Sequence, residues 1–545
     1  MNAAEAPPPG RPWQRLALFG AWLALALILV FQHVFWRDEV RAFTLALAGG
    51  NVVDMARGLQ GEGHPALWYL LLRGAHTVAP VRAALPATAF AVAAAAMALL
   101  AFKSPFRLPT VSLILFGAFG LIEYTVVARN YGISMLVLFA LAHVYPRWRD
   151  RGVAVGLLLA LLCNTNVPSA LLAACFLLFW LVELIGEEGV GWRRKHRLFV
   201  LNAAVAAAGA LLCFVTVYPP VHDAAAIHFA AGLGPKAVAA ALAVPAFSFW
   251  DFVPSGVPPT YAAGGLLSVV VFGSLLGLLR APGALLSAVA ALAGLELFFQ
   301  LIYPGYYRHE CLFLVYLIAL YWLVAKGRGG RWPEGWMAGP AAAWAVKAGR
   351  AMFALLLAWQ VVSSASLVAT AARGYPYSRA RDLARVLERE HLGSAVLIAD
   401  PDMFLEPLPY YTDNPLYLMR EQRFGRVVRF IRRVRTDLDL DDYLRDARAL
   451  HARTGRAVVI VLEHRLDDIR GRYRKHEVHV WNFSADPAQV QRFRAATRRL
   501  AAFGPAVTDE TYDVYLLLPD PAAAGSRGPA ASLSVAPPAA RPETR

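Results

Sequence analysis

Two carboxylates stand just past the first long apolar run, in WRDEVRAF, where Asp38 and Glu39 must meet water or a cavity because an ionised group facing lipid is costly. Adjacent helical residues lie about 100° apart, so the two cannot serve one atom. Asp38 is the better candidate for a general base; the competing reading makes it the cap of the following helix. Farther on, GEGHPALWYLLL sets Glu62 and His64 two residues apart in a glycine-flanked turn, within reach of a common ligand. The imidazole suits a phosphate or a sugar hydroxyl and titrates near neutral pH, or else it caps its own helix. EYTVVARNYG carries Glu123, Arg129 and Tyr131, and YPGYYRHECL carries Arg308, His309 and Glu310. A guanidinium fork makes two parallel charge-assisted bonds to a phosphate, whereas the bland role for Arg129 is snorkelling or pairing with Glu123. Asn164 and Asn166 of CNTNVP either bond sugar hydroxyls or cap a helix.

The chain that must position these groups is 58% hydrophobic and 17% charged, with a mean hydropathy of +0.46. Soluble globules carry roughly 45–50% apolar and about 25% charged residues, so an α-helical polytopic membrane protein is expected. The net charge of +15 would suggest nucleic acid in a soluble protein. Here much of the excess falls in short loops between apolar runs, where it sets topology, and no nucleic-acid partner is expected. Cys163, Cys175, Cys213 and Cys311 lie in or beside apolar segments without C-x-x-C spacing, which indicates neither a zinc site nor a disulfide framework. Residues 16–35 are long enough to span and lack a small-residue cleavage site, so they form a transmembrane helix rather than a signal peptide.

About eleven spans are expected: 16–35, 83–102, 108–126, 131–145, from 153 to the CNTN run, 167–185, 198–218, 262–279, 285–302, 311–325 and 350–371. With the N-terminus cytoplasmic, every short inner loop is basic, as at Lys103 and Arg107, at Arg147, Arg149 and Arg151, and at Lys326, Arg328 and Arg331. Asp38, Glu39, Glu62, His64, Glu123, Arg129, Asn164, His222, Asp223, Arg308, His309 and Glu310 then all emerge at or near the outer face. The apolar stretch 64–78 is left without a crossing. Its fifteen or so residues suit a membrane-surface helix with Pro65 as its first residue. After Ala371 the composition turns to Arg and Asp, with β-type runs at 395–400, 457–464 and 513–519 between helix-like stretches at 378–390 and 439–452. That is a small α/β domain on the outer side, and the Pro-, Ala- and Ser-rich tail 521–545 is expected to be disordered.

The acidic RDE after the first span, the GHP-led surface helix, the ARNY segment after the third span, the Arg-containing late outer turn and the outer C-terminal domain occur in an order that resembles the GT-C superfamily of integral membrane glycosyltransferases. The pattern is similar to the protein O-mannosyltransferases and to the aminoarabinose transferases that modify lipid A. Two features depart from it: Ala66 stands where a second proline often follows HP, and the tenth span lacks an internal proline. The resemblance implies a GT-C-like transmembrane domain over 1–372, with 36–82 as its first outer loop, and an outer (periplasmic) α/β domain over 373–520. It also implies transfer of a sugar from a polyprenyl-phosphate donor to an acceptor hydroxyl of a glycan, lipid or protein at the outer face of the cytoplasmic membrane. In that reading Asp38 or Glu39 is catalytic, and Glu62, His64, Glu123, Arg129, Tyr131, Asn164, Arg308 and His309 bind substrate. Arginines can neutralise a monophosphate leaving group, so no metal or other cofactor is required, although Glu62, His64 and the Asp38–Glu39 pair have the ligand types for a divalent cation. The alternatives are a lipid or glycan transporter, disfavoured by the scarcity of mid-span polar residues and of an internal repeat, and a noncatalytic envelope assembly protein.

Overall fold

The computed structural model describes residues 11–218, 234–235, 261–303, 305–333, 335–477 and 479–519. The expected Pro-rich loop with His222 and Asp223, and the tail 521–545, lie outside the described residues. The chain begins with α1 (Pro12–Gln32), whose first turn accepts a proline because that turn has no N–H bond to lose. Three short helices follow: α2 (Arg37–Ala46), α3 (Val52–Gly58) and α4 (Leu67–Val78). Twelve residues of α4 rise about 18 Å, well short of a roughly 30 Å hydrocarbon core. Its Trp68, Tyr69 and Leu72 are buried, and it packs on α2 and on the next long helix. It starts at Leu67 rather than at Pro65, which stays in the preceding turn.

The bundle continues through α5 (Ala84–Lys103), α6 (Leu108–Leu115), α7 (Tyr131–Trp148), α8 (Ala154–Cys163), α9 (Val167–Glu188), α10 (Arg194–Val217), α11 (Tyr261–Leu275), α12 (Pro282–Leu301), α13 (Tyr307–Ala325) and α14 (Pro340–Ala372). The protein is a polytopic helical membrane protein. Among the described residues seven helices, α1, α5, α9, α10, α12, α13 and α14, are long and apolar enough to cross a membrane. The expected span 108–126 breaks after Leu115 and resumes as a π-helical turn, Phe119–Glu123. Gly120 permits that turn, because a β-carbon there would stand 2.3 Å from the Ile114 carbonyl oxygen. The span from 153 is cut to ten residues, α8, by the polar run that follows it. There Asn166 caps α9 by accepting from Ser169 N at 2.9 Å and donates to Ser134 of α7 at 2.8 Å.

α13 is the central helix. Its apolar window has the lowest mean hydropathy of the seven, 1.4, yet 83% of it is buried, so its neighbours rather than lipid select its residues. It packs on α7, α9 and α12 and carries Arg308 and His309 in its first turn. The four cysteines are free and buried.

After α14 comes an α/β unit with α15 (Ala380–Arg389), β1 (Val396–Asp400), β2 (Tyr417–Leu418), β3 (Arg423–Phe424), β4 (Asp437–Asp439), α16 (Leu440–Thr454), β5 (Val458–Leu462), β6 (Tyr473–His476), β7 (Asn482–Ala485), α17 (Pro487–Ala496), β8 (Thr497–Ala502) and β9 (Asp513–Leu517). One sheet has the order β1-β5-β9-β8, with β1 and β5 parallel and the other pairs antiparallel; a second has the order β4-β7-β6. The run of buried residues in β1 and β5 follows from period two with both faces covered. Val396, Ile398, Val458 and Ile460 face the core built with α16 and α17, whereas Leu397, Ala399, Val459 and Val461 face the core built with α15.

Candidate active site

The site begins at the first turn of α2, where two neighbouring carboxylates part company. Glu39 is fully buried and accepts from Trp36 N at 3.1 Å, Ala128 N at 2.6 Å and His33 Nε2 at 2.9 Å. It ties the start of α2 to the turn that carries Arg129, so its role is positioning, and the expectation that it is catalytic is corrected. Asp38 points the other way, with 29% of its side chain exposed. Its carboxylate lies 3.0 Å from Arg129 Nη1 and 3.9 Å from Arg308 Nη2. Burial opposes ionisation of Asp38, but the Arg129, Arg308 and Arg37 guanidiniums outweigh it and hold the carboxyl well below the usual range.

Each cation is braced by aromatic residues and by backbone. Arg308 stacks 4.8 Å from the Trp36 ring, and its carbonyl accepts from Tyr124 OH at 2.6 Å. Arg129 sits 6.0 Å from the Tyr131 ring. Arg129 Nη2 donates to His64 Nε2 at 3.2 Å. Arginine has only donors, so that ring nitrogen must accept and the proton sits on Nδ1. His64 Nδ1 is buried and has no hydrogen-bond partner among the described residues. Burial and the neighbouring guanidiniums push the His64 pKa down to about 3, which keeps the ring a neutral donor.

A cavity of about 200 Å³ opens over this cluster, lined by Asp38, Arg41, Glu62, His64, Trp68, Tyr69, Arg129, Asn130, Tyr303, Phe430 and His479. Arg41, Tyr69, Tyr303, Phe430 and His479 were not singled out by the sequence. Arg41 had a signal, since it lies three residues after Asp38 on the same helical face. Phe430 and His479 had none, because they come from the C-terminal domain, which roofs the cavity.

The other expected site residues are placed as follows. Glu62 lines the cavity but is bound by Arg41, which also pairs with Glu406 of the C-terminal domain. Glu123 accepts from Tyr377 OH at 2.7 Å and joins the bundle to the segment after α14. Tyr131 packs edge-on to His309 at 5.5 Å, and His309 Nδ1 accepts from Tyr306 N at 3.0 Å, so this imidazole caps its own helix. Asn164 lies elsewhere: its amide donates to Ala160 O and Gly209 O, both at 2.9 Å, and welds α8 to α10. These bonds give Asn164 a structural role between α8 and α10, whereas the bond from Tyr306 N engages only Nδ1 of His309.

Glu62 and His64 do not converge as metal ligands, because Arg41 occupies Glu62. Among the described residues, the side chains grouped closely enough to hold a cation are Asp400, His464 and Glu477 of the C-terminal domain. Arg420 Nη2 already stands 3.0 Å from Asp400 and 2.9 Å from Glu477. Burial pulls the His464 pKa down, but bonds to Asp400 and Glu477 prevail and lift it to about 9. A protonated imidazole cannot ligate, so the chemistry of this cluster is that of an ion-pair network.

No family model and no curated protein sequence matches the chain. The structure is similar to two crystal structures of ArnT from Cupriavidus metallidurans, one in the apo state and one bound to undecaprenyl phosphate. Each superposes with a TM-score of 0.46 at 12% identity, over 92% of this chain and 98% or 97% of the other.

Proposed function

We propose that this protein transfers a sugar from a polyprenyl-phosphate donor to an acceptor hydroxyl at the outer face of the cytoplasmic membrane. The observation that carries the reading is the Asp38–Arg129–Arg308 cluster, in which one ionised carboxylate meets two phosphate-complementary guanidiniums and Asp38 and Arg129 line a cavity. In this reading Asp38 takes the acceptor proton, and Arg129 and Arg308 neutralise the charge that grows on the lipid phosphate as the glycosidic bond breaks. The His64 Nδ1–H donates to the sugar or to the phosphate. The arginines supply the cationic charge, so no metal is part of the scheme.

The test is Asp38→Asn, which keeps size and hydrogen bonding but removes the base. Turnover should fall by about 100-fold or more, while binding of undecaprenyl phosphate, used as the donor-carrier probe in nanodiscs, stays near wild type. Near-normal turnover would remove Asp38 as the base.

A further inference from the structure

A second cleft of about 1220 Å³ lies beside the Asp38 cavity, between the α2–α4 segment and the strand-and-loop segment 423–433 of the C-terminal domain. The two spaces adjoin, and Gly61, Glu62 and Phe430 line both. Their sizes differ in kind. The inner cavity has room for one small group, and the outer cleft exceeds the roughly 300–1,000 Å³ of ordinary small-molecule pockets.

The charge of the cleft is one-sided. Arg57, Arg82, Arg423, Arg426, Arg429 and Arg433 line it, against two carboxylates. Both carboxylates are engaged: Asp413 pairs with Arg82 at 2.7 Å, and Glu62 pairs with Arg41. The guanidiniums of Arg57, Arg426 and Arg429 have no carboxylate partner among the described residues, Arg429 reaching Glu421 only through its backbone N–H. Cations gathered in a concave, partly apolar wall focus a positive potential into the cleft, and guanidinium forks select carboxylate or phosphate groups. Phe43, Tyr410 and Phe430 add aromatic surface along the same wall, the kind of surface on which sugar rings pack.

We infer that this cleft binds an acidic glycan, a chain of several sugars bearing carboxylate or phosphate groups, and presents its end to the Asp38 cavity. Its role as the acceptor rests on the glycosyl-transfer reading; its binding does not. The site takes glycan anions rather than lipid headgroups.

The test uses the full-length protein in phosphatidylcholine nanodiscs at low salt, with hexagalacturonate as the acidic probe and maltohexaose as its neutral counterpart, read by calorimetry. Hexagalacturonate should bind and maltohexaose should not. The double variant R426E/R429E, which changes two exposed side chains, should weaken hexagalacturonate binding about tenfold or more, and R57E should weaken it less. Asp38→Asn protein should bind the probe as wild type does. A loss of turnover there with binding intact keeps both proposals, whereas unchanged turnover with binding intact removes the transfer reading and leaves the cleft. Equal binding of the two hexasaccharides, or an unchanged affinity in R426E/R429E, overturns the inference. So does half-displacement of hexagalacturonate by equimolar dihexanoyl-phosphatidylglycerol, which would assign the cleft to a lipid headgroup.

Discussion

Two aspartates in this molecule are held by arginine, and they differ in what is left open around them. Asp400 is fully buried between Arg420 at 3.0 Å and His464 at 3.1 Å, with Tyr443 donating to it as well. Arg420 in turn donates to Thr436 O at 2.7 Å and to Glu477 at 2.9 Å, so the cluster ties several segments of the domain together. Asp38 is paired with two arginines, Arg129 and Arg308, but 29% of its side chain is exposed, a cavity adjoins it, and the nearby His64 Nδ1 has no partner among the described residues. The ionic chemistry is related, and the adjoining open volume separates a site from a strut.

That contrast can be broken first at Asp400. Asp400→Ala leaves the buried Arg420 and His464 with Glu477 as their one remaining carboxylate and should lower stability by about 3–5 kcal/mol, measured by chemical unfolding in detergent. A stable Asp400→Ala protein would mean that the cluster is no strut. The next effect is on pH. The folded His464 pKa, about 9, lies above its ordinary 6.5, so the stability it contributes is fully present below pH 6.5 and is lost as pH rises through 9. The difference is on the order of 3 kcal/mol. Thermal unfolding from pH 6 to 10 should show that decline, and His464→Gln should flatten it.

Smaller effects sharpen the other half of the comparison. Arg308→Lys keeps the charge but loses the fork and the stacking on Trp36, and turnover should drop by about tenfold. Wild-type turnover and donor binding in Arg308→Lys would make Arg308 a headgroup anchor. Glu39→Gln keeps an acceptor for only one of Trp36 N and Ala128 N, which bond different oxygens of the carboxylate, and so loosens α2 without removing the base; turnover should fall less than in Asp38→Asn, about threefold, with no change in the pH profile. A loss as large as that of Asp38→Asn would return Glu39 to the chemistry.

Much of this was legible before any coordinates. Apolar periodicity marked the bundle, and the β-type runs at 395–400, 457–464 and 513–519 fall on β1, β5 and β9, because strands buried on both faces read as unbroken apolar runs. Asp38, Arg129 and Arg308 were placed at one face by loop charge alone. The short strands β4, β6 and β7 were missed, since three or four mixed residues carry little pattern. The partition of Asp38 from Glu39 needed the position of Ala128 N, and the roof residues Phe430 and His479 needed tertiary packing. Neither is a local property of the chain.

The attachment of α2 to the C-terminal domain constrains traffic at the site. Arg37 binds Asp509 at 2.5 Å and its backbone N–H reaches Glu510 at 2.8 Å, while Arg41, one turn on, grips Glu406. The helix that presents Asp38 is thus bolted at two points to the ceiling above it. Raising that ceiling would strand partly buried charges on both sides, at several kcal/mol for each pair parted. A ligand of the Asp38 cavity therefore meets a ceiling that ion pairs hold to the helix beneath it.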